Sequence, residues 1–176
     1  MKKIFKYSVA GHLFAVELPS CCSEEEHLSP YLPFRSEASD IDPLFTMKVL
    51  LADSLENVGA GEFRDCMNEE APYLWIFSDD KGHFNFGFSY SKSSPDCILK
   101  PSEDFKENTL YVPYGKAEKY MEFAVSNAMM LLYTFCTTPL DTLMVHASVI
   151  EHSEGGYMFL GKSGTGKSTH SRLWLE

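Results

Sequence analysis

Residues 161–169 read Gly-Lys-Ser-Gly-Thr-Gly-Lys-Ser-Thr, and no other stretch restricts the fold as tightly. The string fits the pattern G-x-x-x-x-G-K-[S/T] without a mismatch. Gly161, Gly164 and Gly166 permit a backbone curl that turns successive N–H groups inward, an arrangement suited to phosphate oxygens. An apolar run, Tyr157 to Leu160, stands before the string, and a helical pattern starts at about Lys167. The string therefore predicts strand, loop and helix in that order, with the positive end of the helix dipole turned toward the same anion. In such a loop Gly161, Ser163, Gly164, Thr165, Gly166, Lys167, Ser168 and Thr169 would hold the phosphates of ATP. Lys167 would bridge the outer phosphates, and the Ser168 hydroxyl would be a ligand of Mg2+.

The strand that feeds the loop is expected to be one arm of a hairpin. Leu143 to Ile150 is apolar and β-branched, and Ser153-Glu154-Gly155-Gly156 is turn chemistry. Only this turn separates the two runs, so the pair reads as antiparallel. That disfavours the doubly wound parallel sheet, whose strands are joined by crossovers. On the first arm His146 shares a face with Ser148. From the residues alone it reads as a strand histidine satisfied by a neighbouring carbonyl.

Upstream, period-two patterns dominate. Residues 2–9 and 12–18 read as a strand pair turning at Ala10-Gly11, ended by Pro19. Residues 21–42 read as a surface connection with one helical turn, and Glu24-Glu25-Glu26 as a solvated acidic patch. A strand is expected over 44–53, irregular or weakly extended chain over 54–71, and a hairpin over 72–91 turning at Asp79-Asp80-Lys81-Gly82. In its second arm Phe84, Phe86, Phe88 and Tyr90 share one face, read as facing the core. Two more short strands are expected at 96–100 and 109–114. The period then changes. Tyr120, Met121, Ala124, Ala128, Leu131, Leu132 and Phe135 recur at helical spacing within 116–138, before Pro139.

These patterns predict an α+β chain of mostly antiparallel strands with one long helix. The expected division is 1–140 for an N-terminal domain and 141–176 for the start of a second. At 176 residues, 44 % apolar and 23 % charged, the chain can build a core. Its net charge of −10 repels nucleic acid and anionic lipid, so neither is an expected partner. The five cysteines include no C-x-x-C spacing, and adjacent Cys21 and Cys22 suit an ordinary disulfide poorly. Reduced thiols in the cytoplasm are the reading. No apolar run is read as approaching membrane-spanning length.

The stretch "LMVHASVIEHSEGGYMFLGKSGTGKSTHSRLWL" resembles the start of the catalytic domain of HPr kinase/phosphorylase-related kinases. Those kinases share a P-loop superfamily with ATP-dependent phosphoenolpyruvate carboxykinase. About 35 residues carry the resemblance, with a weaker echo at "YSVAGHLFAVELP". It implies that the chain ends in the first hairpin and P-loop of a carboxykinase-like domain. It also implies ATP and Mg2+ as cofactors, and a place for His146 near the transferred phosphate, with His146 and Lys167 as the catalytic pair. The phosphate acceptor, a protein side chain or a small hydroxylated metabolite, stays open. In the resembled family the catalytic acids follow the loop helix. The chain is therefore expected to be an inactive N-terminal piece of such a phosphotransferase, Leu175-Glu176 resembling a cloning junction. A carboxykinase-like enzyme and a non-catalytic partner-binding domain stand as alternatives, and self-association is open because strand edges are exposed.

Overall fold

The computed structural model describes residues 3–38, 40–153, 155–162 and 164–175, with Glu118 through its backbone only. The chain divides into two compact units, Met1–Asp141 and Thr142–Glu176. Together their elements make an α+β chain with a mixed, mostly antiparallel sheet and one long helix.

The first unit begins with a hairpin, β1 (Lys3–Val9) and β2 (His12–Leu18). Ala10 and Gly11 both have positive φ, 48° and 82°, which gives the turn the twist that two strands of a tight hairpin need. Pro19 ends β2. The connection that follows holds a single-turn helix α1 (Glu24–His27), capped by the Ser23 hydroxyl, which accepts from the Glu26 N–H at 3.3 Å. A 3-10 turn at Ser29–Phe34 comes next. The connection is not merely a solvated acidic patch. Glu25 and Glu26 are exposed, but Glu24 is buried. Its carboxylate accepts from the Tyr7 hydroxyl at 2.7 Å and pairs with the Arg35 guanidinium. A single acid that finds two partners from other segments leaves no mark in a run of three identical residues.

Strand β3 (Thr46–Ala52) runs parallel to β2. The chain then crosses to the far edge for β4 (Glu62–Met67) and returns by an antiparallel meander. The meander comprises β5 (Tyr73–Ser78), β6 (Phe84–Ser89), β7 (Cys97–Pro101) and β8 (Glu107–Pro113). The resulting order is β1-β2-β3-β8-β7-β6-β5-β4, with β2–β3 and β3–β8 parallel and the other pairs antiparallel. Strand β4 lies inside the segment expected to be irregular or weakly extended. It is an exposed edge, Glu-Phe-Arg-Asp-Cys-Met, without the apolar alternation of a half-buried strand. Its charges suit an edge that must not pair with another chain.

Helix α2 (Ala117–Thr137) closes one face of this sheet. Met121, Ala124, Val125, Ala128, Met129, Leu132 and Tyr133 form its buried stripe, at spacings of one, three and four residues. They meet Val16, Met47, Val49, Leu99, Leu110 and Val112, among others, in one core cluster. By length and composition Lys119–Leu140 is apolar enough to cross a membrane, which the sequence reading overlooked. Here its apolar stripe is spent on the sheet. Phe86 and Phe88 enter the core as expected, but Phe84 and Tyr90 are 54 % and 57 % exposed. Phe84 opens the strand and Tyr90 lies just past its end, where Tyr90 packs on Phe123 with ring centroids 4.2 Å apart.

The second unit is a two-stranded antiparallel ribbon, β9 (Ala147–His152) and β10 (Gly155–Leu160), followed by helix α3 (Lys167–Leu173). The first arm starts later than expected. Leu160, the last residue of β10, pairs with Ala147, so residues 143–146 have no strand opposite them in the ribbon. Extended residues without a ladder partner are not a strand.

Candidate functional site

The sequence from Tyr157 to Thr169 folds as strand, turn and helix. Gly161, Gly164 and Gly166 have φ of 156°, 79° and 83°. A side chain at Gly161 would place its Cβ 2.9 Å from the Thr165 hydroxyl, whereas none of the surrounding atoms lies within 4 Å at Gly164 or Gly166. The turn is pinned by Thr165, whose N–H and hydroxyl both donate to the Lys162 carbonyl, at 3.3 and 2.8 Å. Ser163 lies outside the described residues.

Lys167 reaches back over the turn. Its Nζ donates to the carbonyls of Gly161 at 2.8 Å and Lys162 at 3.0 Å. The ammonium thus stands where strand gives way to loop, held by two neutral acceptors on an open surface. An anion there would offer it a stronger, charge-assisted bond. Ser168 and Thr169 are exposed in the first turn of α3.

The helix is fixed to one face of the ribbon. The Ser171 hydroxyl donates to the Lys167 carbonyl at 3.1 Å and shares a hydrogen bond with the Ser148 hydroxyl at 2.7 Å. His170 meets the Phe159 ring edge-on at 4.8 Å, and Trp174 packs on Tyr157, Phe159 and His152. These positioning contacts were not read from the sequence. Ser148 and Ser171 are small polar residues that reveal a partnership only when strand and helix are superposed.

Beside the loop lies a cleft of about 570 Å³, whose wall includes Leu160, Gly161, Thr165, Lys167, Thr169 and His170. Gly166 also lines it. Of the residues assigned to phosphate binding, the cleft gathers Gly161, Thr165, Gly166, Lys167 and Thr169. Gly164 and Ser168 are not part of that wall, nor is His146. His146 is exposed and directly precedes β9 rather than alternating within it. Among the described residues no group of three or more His, Cys, Asp or Glu is gathered to hold a metal ion. Within the described part of the second unit Glu151 is the one carboxylate side chain, exposed on β9.

Described residues of the first unit also line clefts. One, of about 610 Å³, opens where β3 and β8 end side by side, and is lined by Asp53, Ser54, Glu56, Phe77, Pro113 and Lys116 among others. Another, of about 510 Å³, is mostly apolar, with Ile76, Phe84, Phe86, Phe105 and Phe135 in its wall. Comparison of the chain with protein-family models, with curated proteins and with solved structures found no match to any of them.

Proposed function

We propose that the chain carries the ATP-binding portion of an HPr kinase-like phosphotransferase, working in a reducing cytosol. The observation that carries this reading is the placement of Lys167. A string of the phosphate-binding pattern turns at left-handed glycines, and the single lysine that the pattern requires lies across the turn on the Gly161 and Lys162 carbonyls.

In this reading the N–H groups of the turn and of the start of α3 receive the outer phosphates of ATP, and Lys167 exchanges its two carbonyl contacts for phosphate oxygens. Gly161, Ser163, Gly164, Thr165, Gly166 and Thr169 shape or line the grip. Ser168 offers its hydroxyl to Mg2+, which would supply charge neutralisation between the phosphates. His146 serves near the acceptor. Phosphoryl transfer also needs acids that hold the metal and take the acceptor's proton, and Glu151 alone does not make that set. The role assigned to the described residues is therefore nucleotide binding, without turnover. The five cysteines are free thiols, which suits a reducing compartment.

The test is titration of the chain with ATP and Mg2+, followed by calorimetry or by the fluorescence of Trp174, which packs on the strand that enters the loop. Lys167→Ala removes a charge-assisted bond worth about 1.5–3 kcal/mol, and so should weaken binding about ten- to a hundredfold. Equal affinity in the wild-type chain and in Lys167→Ala, or no binding at millimolar ATP, would end the proposal.

A further inference from the structure

The segment that leaves β2 holds a pair of groups that nucleotide binding does not use. Residues 19–22 form a turn closed by the Cys22 N–H on the Pro19 carbonyl at 3.0 Å. The turn sets the sulfurs of the adjacent Cys21 and Cys22 4.0 Å apart. Cys21 is exposed, and Cys22, 6 % exposed, belongs to the core cluster. The Lys3 ammonium touches the Cys22 carbonyl at 3.5 Å, and the next residue, Ser23, caps α1.

Three outcomes are open to two neighbouring thiols, and geometry separates them. A disulfide wants its Cα atoms roughly 4.4–6.8 Å apart, but consecutive residues across a trans peptide are held at about 3.8 Å. Direct oxidation therefore requires a distorted peptide. A bridging atom is different. Two bonds of about 2.3 Å, the zinc–thiolate length, meeting near the tetrahedral angle span about 3.8 Å between the sulfurs. That nearly matches the spacing present. Zinc itself needs about four ligands, and among the described residues no third metal-binding side chain joins the pair. The fitting centre is one that bonds two sulfurs and brings its remaining bond with it; its pyramidal angle is narrower than zinc's, so the sulfurs close slightly on binding.

We propose that Cys21 and Cys22 form a chelating dithiol site for trivalent organoarsenicals and thiophilic centres of the same valence. An arsenoxide, R–As=O, forms two As–S bonds. Its oxygen leaves with both thiol protons as one water, and arsenic stays trivalent, so no electrons are exchanged. Burial, aided by the neighbouring Cys21, pushes the Cys22 thiol up to about 11. Cys22 is thus held protonated and slow toward alkylating agents, which need the thiolate. Condensation with an arsenoxide removes the protons itself.

The experiment is intact-mass analysis of the full chain with phenylarsine oxide. The expected product is one phenylarsenic group per chain with loss of one water, released by 2,3-dimercaptopropanol but not by the same concentration of a monothiol. Loss of one sulfur should weaken retention by about 10²-fold or more, the usual gain from a second tethered contact. Cys21→Ser, at an exposed position, and Cys22→Ser should each abolish the stable adduct, whereas Cys66→Ser should keep it. An adduct that survives Cys21→Ser, or one that a monothiol removes equally well, overturns the site, as does the absence of any adduct.

Discussion

Replacing Arg35 by leucine removes the cation that faces a buried carboxylate, and the structure sets the size of the effect. The Glu24 side chain is 6 % exposed and the Arg35 side chain 39 %. Removing one partner of a fully buried ion pair costs about 3–5 kcal/mol, because the other charge is stranded. Arg35 is more than a third exposed, so water already screens the pair, and the loss is discounted to about 2–3 kcal/mol. Glu24→Leu should cost less. The freed guanidinium can turn to solvent, and the main penalty is the Tyr7 hydroxyl, fully buried and deprived of its acceptor, at about 1–3 kcal/mol. With both replaced, no charge is stranded, and the double variant should be more stable than the sum of the two losses predicts, by about 2–3 kcal/mol. Urea unfolding of the four proteins measures this. With a slope of about 1–3 kcal/mol per molar, Arg35→Leu should move the midpoint down by about 1–2 M. If the two losses add, or if Arg35→Leu shifts the midpoint no more than a surface substitution would, the buried pair is not what holds the β2–β3 connection.

Two further perturbations follow from single positions. Gly61 has φ of 102°, and a Cβ there would lie 2.3 Å from the Ser78 carbonyl oxygen, which is backbone and cannot swing aside. Gly61→Ala should cost about 2–5 kcal/mol from conformational strain and overpacking together, read as a lowered thermal midpoint, and a change within error would show that the β4–β5 edge is pliable. Burial raises the Tyr7 phenol from 10.0 to about 12, against the opposing pull of Arg35. The folded state therefore holds its proton where the unfolded chain has lost it. The resulting stability is complete below pH 10 and is lost as pH rises toward 12. Tyr7→Phe should flatten alkaline denaturation across that window, and an unchanged slope would assign the titration to another group.

Much of the first unit was legible because its turns and faces obey local rules. Ala10-Gly11 and Asp79 to Gly82 announce hairpins. At the second the Asp79 carboxylate accepts from the N–H groups of Lys81 and His83 at 2.8 and 2.9 Å, and Gly82 takes φ of 84°. The stripe of α2 follows its own period. The order of the strands was not legible. That β3 lies between β2 and β8, parallel to both, is decided by contacts between segments about thirty residues apart for β2–β3 and about sixty for β3–β8, and no local pattern encodes them. Strand β4 escaped because an exposed edge carries no alternation. Glu24 escaped because its partners, Tyr7 and Arg35, lie on either side of it in the chain and meet it only after β1 and the 3-10 turn are in place.

The loop shows where legibility stops within a single motif. Read as letters, Gly161, Gly164 and Gly166 serve one purpose, letting the backbone curl. In space they serve two. At Gly164 and Gly166 the room for a side chain is open and only the left-handed φ excludes one, a conformational demand worth about 1–3 kcal/mol for other residues. At Gly161 the limit is also steric, since the Thr165 hydroxyl that would meet a Cβ is the group that closes the turn on the Lys162 carbonyl. The Gly161 carbonyl itself accepts from Lys167 Nζ. The pattern names the glycine and the lysine but is silent about the threonine between them, a position where it accepts any residue. Yet Thr165 is the group a Cβ at Gly161 would meet, and it shares the Lys162 carbonyl with Lys167. The part of such a turn most visible in sequence is thus the part fixed by backbone geometry, and the part supplied by side-chain contacts, here Thr165, Ser148 and Ser171, becomes visible only when the strand and helix are placed.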